Sequence, residues 1–225
     1  MSPASAEPVA TPLTVPSWFG PVDPDAEASA TAILLAAADL FGERSPSQVS
    51  LRAIAARAGV NYGLIHHYFG TKDAILAELM ARASRAAADR MAQANTFVEA
   101  LGVLVDPETD AAYARMLAWA MLDGTDPARL VGASPAIARI AELLVDHLGD
   151  GDAGPVGDPQ VVAAVTVSAI LGWRLYRPFV TAAADLDDRQ AAAVPDAVRS
   201  IIGSLAAGPV STMSSSSHVE DAAHD

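Results

Sequence analysis

Apolar residues return at helical spacing along most of the chain. Ile33, Leu34, Ala37, Leu40 and Phe41 make one stripe from about Ala26, ending near Gly42. Leu51, Ile54, Ala55 and Ala58 make a second, short one, with Ser50 placed as its N-cap and Gly59 as its stop. A third helix runs from Tyr62 to Tyr68 or Phe69, capped by Asn61, with Ile65 and Phe69 inward and Tyr62, Gly63 and His66 on another, exposed sector. Thr71 caps a fourth, Asp73 favours its positive end, and Ile75, Leu76, Leu79, Met80, Ala83 and Ala87 carry its apolar face to about Phe97.

The same period continues beyond a loop at 103–110. It predicts helices over 111–122, briefly to Val131, from Ser134-Pro135 to about Gly149, and, after a Gly/Asp/Pro loop at 149–159, from Val161 to Pro178. The β-branched residues of that last stretch hint at a strand, but its length and 3.6-residue period decide for a helix. A final helix starts at Asp187 or Asp188 and passes through Val194, Val198, Ile201, Ile202 and Leu205, with Pro195 as a possible kink or break. The fold class is all-α.

Composition sharpens the boundaries. Six prolines in residues 1–25 read as a disordered arm, with Trp18 and Phe19 either docked onto the domain or, more plainly, transiently exposed tail residues, and residues 208–225 read as a disordered Ser/Thr-rich tail in which His218 and His224 are incidental. Between them lie residues 26–76 and a larger helical body at 77–207. With 52% apolar residues among 225, a sizeable core is available. The absence of cysteine excludes disulfides and thiol catalysis. Residues 1–25 lack the basic and apolar runs of a signal peptide, and no stretch is apolar enough for a membrane span, which points to a soluble cytoplasmic protein.

A net charge of -13 speaks against a polyanionic partner until it is divided along the chain. Residues 1–27 contribute -4, residues 28–90 contribute +2, and residues 91–225 contribute -11. The one positive segment contains two short helices joined by Gly59-Val60-Asn61, the spacing of a helix-turn-helix. On the residues alone, a DNA-reading head and an ordinary small helical bundle with a solvated face both remain open.

Leu51-Arg52-Ala53-Ile54-Ala55 through His67-Tyr68-Phe69-Gly70-Thr71-Lys72 closely resembles the TetR family of bacterial transcriptional regulators over about residues 30–76. Gly172 to Phe179 also resembles late-helix segments of some actinobacterial members. The resemblance implies a three-helix DNA-binding domain, a connecting fourth helix and a helical regulatory and dimerisation domain. It further implies a homodimer on a palindromic operator, released by a small-molecule effector, most members being repressors. By that resemblance Asn61, Tyr62 and Gly63 open the recognition helix, Leu64 stands where a polar residue is frequent, His66 replaces a phosphate-contacting tyrosine, His67 falls at a variable position, Tyr68-Phe69 is the aromatic pair, and Lys72 is the family lysine. Leu64 offers only apolar contact to a thymine methyl, so polar readout falls to Asn61, Tyr62 and His67. Ser50, Arg52, His66, Tyr68 and Lys72 are assigned to the DNA backbone.

In the body, Tyr113, Met116, Trp119, Met121, His147, Trp173 and Tyr176 combine apolar area with polar handles suited to a hydrophobic or aromatic effector, or else fill the core. Arg174 and Arg177 offer charge for an acidic ligand group or for a carboxylate such as Asp185. Ala169, Leu171, Gly172, Trp173, Val198, Ile201, Ile202 and Leu205 are the expected dimer seam. No cofactor or metal set is apparent. An enzyme lacks a nucleophile motif or phosphate loop, and a protein-binding helical adaptor is the other alternative.

Overall fold

The computed structural model describes residues 12–22, 27–105, 111–130, 134–148 and 158–206. They form ten α-helices: α1 (Ala28–Glu43), α2 (Leu51–Ala58), α3 (Tyr62–Tyr68), α4 (Lys72–Arg90), α5 (Phe97–Leu104), α6 (Ala112–Leu122), α7 (Pro127–Leu130), α8 (Pro135–Leu148), α9 (Pro159–Ala183) and α10 (Asp188–Ala206). A 3-10 turn over Ser17–Phe19 precedes α1, and another over Pro46–Gln48 joins α1 to α2. Among the described residues no helix is long and apolar enough to cross a membrane.

Local chemistry accounts for the first four helices. Ser50 Oγ accepts from Ala53 N at 3.1 Å, Asn61 Oδ1 from Gly63 N at 2.8 Å, and Thr71 Oγ1 from Ala74 N at 3.1 Å. Each satisfies a backbone donor that a helix start would otherwise leave free. Gly59 closes α2 in the left-handed region at φ 67, which a side chain would resist. The fully buried Ile33, Phe41, Ile54, Ile65, Ile75 and Leu79 then lock α1 to α4 into one core. Burying each such side chain stabilises the fold by about 1.5–3 kcal/mol.

A second core joins α5, α8, α9 and α10 through Phe97, Leu101, Ile140, Leu144, Val162, Ile170 and Ile202. Three sequence expectations change here. The fourth helix stops at Arg90, not near Phe97, because Met91 turns inward and a new helix begins behind the Thr96 cap. Thr96 Oγ1 accepts from Glu99 N at 3.2 Å while the Glu99 carboxylate reaches back past the cap residue and accepts from Asn95 N at 2.8 Å. Val103 and Leu104 therefore belong to α5 rather than to a loop.

Neither Pro178 nor Pro195 ends its helix. Each removes one donor from a helix of 25 or 19 residues, and the bonds on both sides carry it onward. The third change is at the amino end: Trp18 and Phe19 are buried in the first core, not exposed tail residues. Two large aromatic surfaces repay the ordering of the short segment that carries them. Residues 1–11 and 207–225, most of the two expected loops at 103–110 and 149–159, and the side chains of His147 and Leu205 lie outside the described residues.

Candidate nucleic-acid interface and effector cavity

Helices α2 and α3 meet so that their starts share one exposed face. Ser50, Arg52, Asn61, Tyr62, Gly63, His66 and His67 are all exposed, whereas Ile65 on the opposite side is fully buried. The Arg52 guanidinium carbon lies 5.9 Å from the Tyr62 ring centroid, and Tyr62 meets the His66 ring edge-on at 4.9 Å. His66 Nδ1 is 3.1 Å from the Gly70 carbonyl oxygen, which fixes the imidazole against the turn after α3. A Cβ on Gly63 would stand 3.3 Å from Asn61 Oδ1, so the small residue also leaves room for the cap that starts the helix.

Three expected contact residues are more committed than the sequence implies. Leu64 is half-buried against the first core, which reduces the surface it offers a thymine methyl. The Tyr68 hydroxyl is hydrogen-bonded to the Glu27 carboxylate, and this bond, with partial desolvation behind it, raises its pKa above the usual tyrosine value. Lys72 Nζ donates to the Val49 carbonyl at 3.0 Å and ties the start of α4 to the segment before α2. On the scaffold behind this face, Arg57 of α2 pairs with Asp39 of α1 at 2.7 Å.

The head is fastened to the body at a second place. Asp123, just past α6, accepts from Ser45 Oγ at 2.5 Å, Ser47 N at 3.1 Å and Ser47 Oγ at 3.1 Å. The Ser45 hydroxyl, with the Ser47 groups and the nearby Lys72 charge behind it, holds the Asp123 carboxyl below the usual carboxylate range. Nearby, Arg115 Nε of α6 donates to the Gly42 carbonyl at the end of α1 at 3.2 Å.

Between α4, α6, α8 and α9 lies a cavity of about 170 Å³. Leu117, Ile137, Ile140, Val167 and Ile170 supply apolar walls, and Tyr113, Ser84, Ser134, Arg90, Arg174 and Trp18 supply the polar atoms. Ser84 and Ser134 satisfy one another at 2.7 Å, Arg174 Nη2 donates to the Leu104 carbonyl at 2.5 Å, and burial raises the Tyr113 pKa, keeping its hydroxyl protonated. Of the effector residues expected from sequence, Tyr113 and Arg174 line this cavity. Met116 is buried in the first core, Trp119 is half-buried elsewhere, Trp173 sits in a separate niche with Val105, Pro195 and Val198, and Met121, Tyr176 and Arg177 are exposed. Missed from sequence were Trp18, Ser84 and Ser134; Ser84, a small polar break in the apolar face of α4, was the available signal.

The expected dimer seam also divides. Ile202 is buried within this chain, while Leu171, lining the cavity, and Trp173 and Val198, lining one niche, are half-buried. Ala169 lines the same niche as Trp173. Ile201 is 60% exposed and Gly172 faces open space. Val161 and Val165, then Tyr176, Phe179 and Val180, none in the expected set, form an exposed apolar stripe along α9, with the half-buried Gly172 between its two parts.

Residues 33–79 match the family described as bacterial regulatory proteins, tetR family. The HTH-type transcriptional repressor Rv3405c of Mycobacterium tuberculosis is 33% identical over 183 residues, covering 78% of this chain and 90% of the relative. The HTH-type transcriptional regulator Mb3439c of Mycobacterium bovis matches to the same extent, 33% over 183 residues. In fold, the chain is similar to the transcriptional regulator FadR of Bacillus subtilis solved in complex with stearoyl-CoA, with a TM-score of 0.57, 17% identity and coverage of 77% of this chain and 97% of that one. A regulator of Streptomyces coelicolor, SCO4942, superposes equally well, with a TM-score of 0.57, 22% identity and the same coverage of 77% and 97%. With the capped helix-turn-helix and the helical body behind it, these matches make the chain a transcriptional regulator rather than an enzyme: it belongs to the TetR family of bacterial regulatory proteins.

Proposed function

We propose that the protein is an effector-released repressor that binds a palindromic operator as a homodimer, with α3 in the major groove. The observation that carries this reading is the shared face of α2 and α3. Tyr62, Gly63 and His67 stand where a recognition helix meets base edges, while Ser50, Arg52, His66 and Lys72 flank them at positions suited to phosphates. The repressor name of the mycobacterial relative supports the sign of regulation.

The second copy docks on the α9 stripe. Tyr176, Phe179 and Val165 leave large apolar surface in water, 57%, 70% and 51% exposed, and a self-complementary four-helix contact of α9 and α10 would cover it. The effector occupies the cavity beside α6, whose far end carries the Asp123 contact to the head. Domain roles follow the same division, with residues 26–76 reading DNA and 77–207 sensing and pairing.

Selection of genomic fragments by the purified protein tests the reading. Enrichment of an inverted repeat, lost as salt is raised, is expected. Recovery of fragments without any common repeat at low and moderate salt would refute it.

A further inference from the structure

The last turn of α3 carries a histidine whose ring is held by one edge. His66 Nδ1 lies 3.1 Å from the Gly70 carbonyl oxygen, and the Tyr62 ring meets the imidazole edge-on at 4.9 Å. Gly70, at φ 73, is in the left-handed region that turns the chain after α3. The residue itself is exposed, on the face it shares with Tyr62, Gly63 and His67.

A carbonyl oxygen only accepts, so the hydrogen of this bond belongs to Nδ1. A neutral imidazole has a single N–H. With that N–H spent on Gly70, Nε2 keeps its lone pair and is an acceptor. A phosphate oxygen in the duplex is also an acceptor and carries negative charge, so neutral His66 meets it acceptor to acceptor. The contact becomes favourable once Nε2 gains a hydrogen of its own, which makes the ring an imidazolium and the bond a charge-assisted one. Moving the single hydrogen from Nδ1 to Nε2 instead would leave Nδ1 and the Gly70 oxygen as two acceptors facing each other at 3.1 Å.

The protein supplies no counter-ion for that charge. Among the described residues no carboxylate pairs with His66. On the helices packed against α3, Asp39 of α1 is paired with Arg57 of α2, and Glu43 of α1 with Arg44. The other cation of α2, Arg52, lies against the Tyr62 ring, 5.9 Å from its centroid. The negative charge that an imidazolium here lacks is one that the duplex brings.

We propose that His66 grips a DNA phosphate only as the imidazolium, so that each reading head takes up one proton from solvent on Nε2 as it binds and loosens as pH rises. The inference rests on reading α3 as the recognition helix.

Two measurements on the full chain test it. The first needs no DNA: long-range ¹H–¹⁵N spectra at about pH 8, with the five histidines assigned through His66→Gln, should show the hydrogen of neutral His66 on Nδ1. A hydrogen found on Nε2 overturns the proposal while leaving α3 a recognition helix. The second measures the affinity for a duplex of about 30 base pairs that carries the inverted repeat recovered by genomic selection. At constant ionic strength, lowering the pH from about 8 to about 5.5 should tighten the natural chain roughly tenfold more than His66→Gln, the increment of one charge-assisted hydrogen bond. His67→Gln should follow the natural chain. His66→Tyr, a donor that does not titrate in this interval, should bind more tightly than the natural chain at pH 8 and lose the extra pH dependence. The same pH dependence in His66→Gln as in the natural chain overturns the proposal. Recovery of no repeat removes the recognition-helix reading and the proposal together.

Discussion

Helices α3 and α9 each bury one face and leave another uncovered, but the uncovered faces carry opposite chemistry. On α3, seven residues long, Ile65 anchors the back, and the front presents phenol and imidazole groups around a glycine. On α9, 25 residues long, Val162, Ala163, Thr166 and Ile170 anchor the back, and the front presents valine, tyrosine and phenylalanine. The first face keeps its hydrogen-bonding capacity and suits a hydrated, charged duplex; the second loses nothing by leaving water and suits a copy of itself. Exposure alone would have ranked Phe179 above Tyr62, at 70% against 40%, so it is the chemistry of the two faces and not their area that sets them apart.

The largest effect comes from charging the apolar face. Val165→Asp with Phe179→Asp should give monomers by light scattering at micromolar concentration and lower operator affinity by about 100-fold or more, since each head then binds alone. A dimer that survives both changes would move the seam off α9. On the polar face, Tyr62→Ala should shift base preference by about 1–3 kcal/mol at its contacted positions. Lys72→Ala should instead weaken all sequences alike and reduce the salt slope by about one. A salt titration that leaves that slope unchanged would confine Lys72 to its bond with Val49.

The faces differ also in how they could be read. Ser50, Gly59, Asn61 and Thr71 act within three residues of themselves, so α2, α3 and the start of α4 were legible to the residue. The Thr96 cap was equally local, but the alanine-rich run before it masked the turn at Met91. What could not be read joins distant positions. Trp18 meets Tyr113, Asp123 meets Ser45 and Ser47, and the cavity walls come from four helices that no periodicity brings together. Ile202 and Leu171 were recognisably apolar, but whether an apolar residue faces its own bundle or a second copy depends on the rotation of the whole helix.

The smallest effect concerns the Asp123 contact. Its carboxyl has a lowered pKa in the folded protein, so its stabilisation is complete above the ordinary carboxylate range and disappears as pH falls through the lowered value. Asp123→Asn should lower the Tm by on the order of 2–4 °C at neutral pH. The gap should close below about pH 4. A gap that stays constant on acidification would mean the asparagine disturbs packing rather than charge.

The first core does not respect the division between reading and sensing. Met116, Ala120 and Leu130, which follow α5, share it with Ile33, Ile54 and Ile65. Cutting the chain after residue 76 would strip these side chains, together with Leu79 and Met80, from the hydrophobic floor on which α3 rests. The helix-turn-helix is thus no detachable module: it should melt together with α6, and a fragment excised for study on its own should be a different and looser molecule.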